Sequence, residues 1–152
     1  MIARPQHQGI DKPMEPDMLT LSSRSLLNKT FIADGVYSLF IGAVLILGAA
    51  PLAALFSPLA TPLMMKLLGI GLFAWGIFHL AAARNGGPVS TAARISIGGD
   101  ILWQVASLAL LATAYSSLTA IGLGFVIIGI ISVADFLFFK LKGFSREREA
   151  LA

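Results

Sequence analysis

The chain alternates between long apolar runs and short polar breaks. From Phe31 it is apolar through Ala50, and no charged residue occurs from Gly35 through Met65. Three further runs begin near Leu63, Thr91 and Leu118. Each is about twenty residues long, the length at which a helix crosses the hydrocarbon core of a bilayer. The expected spans are 30–50, 63–83, 91–114 and 118–139. Pro51 should end the first, and the prolines at 51, 58 and 62 should keep connection 51–62 in the interface rather than across the membrane. Asn85-Gly86-Gly87-Pro88 should stop the second, and Ser90 or Thr91 can cap the third. Tyr115-Ser116-Ser117 reads as a tight hairpin. The fold class that follows is all-α: a four-transmembrane-helix bundle behind a polar leader.

Composition agrees with that pattern. At 57% hydrophobic and 12% charged residues, the chain lies outside the range of soluble domains. Its 152 residues accommodate four spans and short connections, with no room for a separate soluble domain. The net charge of +3 does not indicate a nucleic-acid binder, because the cations sit where the spans end. Arg24 and Lys29 precede the first span, Arg84 and Arg94 bracket the second connection, and Lys140, Lys142, Arg146 and Arg148 follow the fourth. The other two connections carry no charge, so both termini are expected on the cytoplasmic side, with Lys66 snorkelling at the outer end of the second span. Residues 1–29 form the expected cytoplasmic leader and 143–152 a charged tail. Within the leader two readings stay open, a flexible segment or a short surface helix around Leu19, Leu26 and Leu27. Cysteine is absent, which excludes disulfides, thiolate metal sites and cysteine nucleophiles.

The second and fourth spans share a glycine pattern. Gly69, Gly71, Gly76 and Ile77 align without a gap on Gly122, Gly124, Gly129 and Ile130. Together with Asp34 soon after Lys29 and Asp100 soon after Arg94, this suggests a duplicated helical hairpin. Glycines at such positions are expected to permit close helix approach.

The chemistry the chain can offer lies in a polar layer. Asp34, His79, Asp100 and Asp135 come one from each span and are five or six residues from a flanking cation, which places them at one expected depth. Asp100, Gln104 and Ser107 recur at helical spacing and share a stripe that should face other helices. Two readings compete. The layer is either a proton or cation site, or a set of acids that pair with nearby Lys or Arg and fix how the spans pack. No metal site and no cofactor are expected. Since His7 is the only other histidine, a bis-histidine haem in the bundle is excluded, and single-histidine pigment ligation at His79 is the alternative to a packed histidine beside Trp75. No catalytic triad, HxxxH pair or phosphate loop occurs.

On Ala33-Asp34, Pro51-Leu52, the Gly69 to Trp75 region, Trp103 with Ser107-Leu108, and Leu118-Thr119 with Gly122, the four spans resemble a group of small, uncharacterised bacterial integral membrane proteins. The resemblance implies an inner-membrane location and carries no activity with it. Asp100 departs from the group, which would have a neutral amide there. Small multidrug transporters also have four short spans with an acid in the first, but the two additional acids and the long leader depart from that pattern.

The expected function is therefore non-enzymatic: an accessory or structural subunit of a larger membrane complex, or a small lipid-binding protein. Its partners would be membrane lipids, other membrane subunits or further copies of itself. A proton-coupled transporter using the intramembrane acids is the competing class, and a lipid-modifying enzyme is third.

Overall fold

The computed structural model describes residues 24–85 and 90–152. Most of the leader, and the stop signal at 86–88, lie outside them. Each long helix begins where a side-chain oxygen replaces a missing backbone partner. Ser25, Thr61, Ser90 and Thr119 accept from the backbone N–H of Asn28, Met64, Ala93 and Gly122 at 2.9 to 3.2 Å. The helices that follow are α1 (Leu26–Leu47), α2 (Ala49–Phe56), α3 (Pro62–Asn85), α4 (Thr91–Ala114) and α5 (Ala120–Glu149). All but α2 are long and apolar enough to cross a membrane.

Three boundaries differ from expectation for physical reasons. Capped by Ser25, α1 begins at Leu26, inside the expected leader 1–29. Gly48 ends α1, its N–H bonded to the Val44 carbonyl at 2.8 Å, and the chain restarts at once as α2. Pro51 falls in the first turn of α2, where a missing N–H has no intrahelical partner to lose. At the other end of the chain, α5 continues through Lys140 and the charged segment to Glu149, so the first part of the expected tail is helix.

The short α2 folds the first connection back onto the bundle. Its Ala49 and Ala53 pack with Met65, the Thr119 N–H donates to the Phe56 carbonyl at 3.1 Å, and the Ser57 hydroxyl donates to the Ser117 carbonyl at 2.7 Å. Both outer connections therefore lie at one end of the molecule. At the opposite end Leu27, Phe31, Ala82, Ala83 and Ala93 form a second small core. Large apolar side chains cover the outside, Leu47 at 87% exposure among them, as expected where the surrounding medium is lipid.

The tightest helix pair is α1 with α3, which run antiparallel. A Cβ added at Gly42 would stand 2.7 Å from the Gly69 carbonyl oxygen, and one at Gly76 would stand 2.7 Å from that of Gly35. The two pairs are seven residues apart on each helix, and Asn28 extends the same register by donating to the Ala83 carbonyl at 2.7 Å. The matching glycines of the fourth span behave differently. Gly122 packs against the Phe56 backbone, while Gly124 and Gly129, like Gly71 on α3, have open space at the Cβ position. The sequence match between the second and fourth spans thus does not extend to their packing, and helix contact is confined to Gly69, Gly76 and Gly122.

Gly76→Val should lose ~2 kcal/mol or more of stability, because the new side chain meets a backbone that cannot step aside. Gly124→Val should stay within ~0.5 kcal/mol of the parent. Reversible unfolding in mixed detergent micelles measures both, and equal losses would remove the close-approach argument.

Candidate functional site

The antiparallel register of α1 and α3 brings Asp34 opposite His79. The remaining two long helices complete the group, α4 with Asp100 and α5 with Lys140. These four residues are buried, His79 and Lys140 completely. The Lys140 ammonium stands at the centre. It is bonded to Asp34 Oδ2, lies 2.6 Å from Asp100 Oδ2 and lies 3.1 Å from His79 Nε2. All three of its protons thus have a partner. The cluster lies eight residues into α1 and nine into α4, ~12 to 14 Å from those helix ends.

The surroundings complete the site. The Ser38 hydroxyl donates to Asp34 Oδ1 at 3.1 Å, and the Ser96 hydroxyl lies 2.7 Å from His79 Nε2. The rings of Phe31, Trp75 and Phe78 surround the imidazole with centroids 5.0 to 5.8 Å away. An ammonium beside Nε2 requires that nitrogen to present its lone pair, which puts the ring proton on Nδ1. Nδ1 is buried with no hydrogen-bond partner. Ser96, His79 and Asp34 do not make a nucleophilic triad. Asp34 approaches Nε2, at 3.7 Å, the same nitrogen that faces the serine, whereas a triad needs the acid on the other one.

The acidic and imidazole donor atoms of Asp34, His79 and Asp100 lie within 4.8 Å of one another, a spacing that suits a shared cation. Here the chain supplies that cation itself, as Lys140. His79 Nε2 is turned toward the Lys140 and Ser96 side chains.

The structure thus gathers Asp34, His79 and Asp100 from the expected polar layer and leaves out the other two members. Gln104 donates instead to the Ile130 carbonyl at 2.8 Å, fastening α4 to α5. Asp135 is exposed on the outer face of α5, five residues and ~7.5 Å deeper along the helix than Lys140. Its expected neighbour Ser132 accepts from the Tyr37 hydroxyl at 3.2 Å. Lys140 entered the sequence reading only as a flanking cation. The signal that could have found it is the helical stripe Ser132, Phe136, Lys140 and Gly143, whose polar and small members mark an inward face. Gly143 confirms that face, since a Cβ there would stand 2.8 Å from the Leu27 backbone.

Beside the cluster, α3 and α4 separate. They touch at one end through His79 and Ser96, with Ala82 and Ala83 near Ala93, and diverge toward the other. The wedge between them is a cleft of about 470 Å³, open along one side and lined by Leu68, Gly71 and Trp75 of α3 and by Gly99, Leu102 and Trp103 of α4. Trp75 belongs to both features, because its ring covers Gly99 and meets the His79 imidazole edge-on, with centroids 5.0 Å apart. The Trp103 indole nitrogen is buried without a partner.

Fold and site together define a four-span helical membrane protein with a buried charged centre. Comparison with protein-family models, with curated proteins and with solved structures found no match.

Lys140→Met should cost ~3–5 kcal/mol, because it leaves two buried carboxylates facing each other without a counter-charge. Asp135→Asn should lose no more than ~0.5 kcal/mol, since that side chain is exposed. Unfolding in mixed micelles separates the two, and a larger loss for Asp135→Asn would contradict this assignment of inward and outward faces.

Proposed function

We propose that the chain is a non-enzymatic integral membrane protein that holds the apolar chain of a membrane lipid in the wedge between α3 and α4. The observation that carries this reading is the cleft itself: about 470 Å³, apolar, open along one side and formed between two helices long and apolar enough to cross a membrane. In a bilayer the molecules that reach such an opening are lipids, and an apolar wall with two indole rings suits a hydrocarbon chain. The charged cluster supports a binding rather than a catalytic reading, since Lys140 and the two acids are already engaged with one another.

The cleft can be filled without disturbing the bundle. Gly71 lines it and has open space at its Cβ position. Gly71→Leu should therefore keep the parent's helicity and thermal stability while lowering the amount of lipid retained after extraction in mild detergent, read by native mass spectrometry. If the parent retains no lipid, or the variant retains as much, the reading fails.

We further place the protein in a bacterial inner membrane with both termini cytoplasmic. The support is the grouping of Arg24, Lys29, Lys142, Arg146 and Arg148 at the ends of α1 and α5, with no charged residue in connections 57–61 and 115–117. The chain has no native cysteine, so single substitutions report cleanly. Leu59→Cys should react with an impermeant maleimide added outside intact cells and Leu151→Cys only after lysis, and the reverse order would invert the topology.

A further inference from the structure

We infer that the Asp34, His79, Asp100 and Lys140 cluster is an exchangeable proton site, with the proton carried by Asp100. Charge balance is the first argument. Two carboxylates and one ammonium, with a neutral imidazole, leave one negative charge in excess, and among the described residues no other charged residue is buried as a whole. The groups facing Lys140 are Asp34 from α1, His79 from α3 and Asp100 from α4, so every long helix packed at the site has contributed its charge and the deficit stands. An uncompensated charge between aromatic rings inside a membrane-spanning bundle is strongly disfavoured, and one bound proton removes it.

Geometry selects the carrier. Asp34 accepts from Lys140 on one oxygen and from Ser38 on the other, so neither oxygen is left over. A proton placed on His79 Nε2 would stand 3.1 Å from the Lys140 ammonium, so the imidazolium is opposed. Asp100 remains, with Lys140 on one oxygen and Trp75 within reach. The second, independent observation is the buried Nδ1 of His79, which has no partner. Lys140 holds Nε2, so the unmatched Nδ1 is the ring atom left open to an exchanging proton carrier.

The test uses the full chain in lipid nanodiscs, carrying Asp135→Asn to remove the exposed intramembrane carboxyl. Infrared difference spectra between about pH 6 and about pH 9, an interval in which ordinary carboxyls stay ionised, should show one protonated-carboxyl band. That band should be lost in Asp100→Asn, which is nearly isosteric and leaves a neutral Asp34–Lys140 pair, and should return at a shifted frequency in Asp100→Glu. With Trp103→Phe added, Trp75 becomes the only tryptophan, and its emission should shift over the same pH interval and cease to do so in Asp100→Asn. No protonated-carboxyl band at any pH, or a band unchanged in Asp100→Asn, overturns the proposal. The lipid reading is untouched by either outcome, because none of these signals requires the cleft to be occupied.

Discussion

The burial of one lysine ammonium between two aspartates constrains nearly everything else in this bundle. Lys140 lies at the centre of a medium that solvates charge poorly, so it must be met by Asp34 and Asp100, and those two residues sit on different helices. Meeting them sets the rotation of α1, α4 and α5 about their axes. Once those rotations are set, the remaining faces follow: Gly143 turns toward Leu27, Tyr37 reaches Ser132, and Asp135 is left outside. Apolar burial alone has little power to choose among rotations here, because lipid is as good a partner for leucine as another helix is. Charge pairing and small-residue contact have that power.

The glycine seam supplies the second constraint. Paired glycines let the backbones of α1 and α3 approach until a single added carbon would collide, and the pair becomes the rigid half of the molecule. Between α3 and α4 the reverse holds. The Trp75 ring lies over Gly99, Trp103 stands a turn further along α4, and two indoles cannot be accommodated at the separation that glycines permit. The helices are therefore joined at the His79 and Ser96 end and wedged apart at the other, which is how a chain with so small an interior still contains a cleft.

Trp75 joins these two parts. It lines the apolar cleft and packs edge-on against His79 of the charged centre, so an occupant of the first would press on a group that contacts the second. The proposed lipid site and proton site are thus neighbours through one side chain.

The sequence by itself determined the architecture and the cast of polar residues. Four apolar runs, the capping residue Ser90, and Asp34, His79 and Asp100 within three of the runs were legible because helix length, capping and hydropathy are local properties of a chain. Only the tertiary structure decided which polar groups meet. Asp135 and Lys140 are five residues apart, so their side chains leave the helix ~140° apart and cannot both face the interior. Nothing local says which one does. A lysine at the end of an apolar run has the same sequence signature whether it snorkels to the headgroups or turns inward to two carboxylates, and the choice rests on partners that lie 40 and 106 residues away along the chain. The same holds for the glycines, since close approach is a property of the pair, and Gly71 and Gly76 differ only in what stands opposite them.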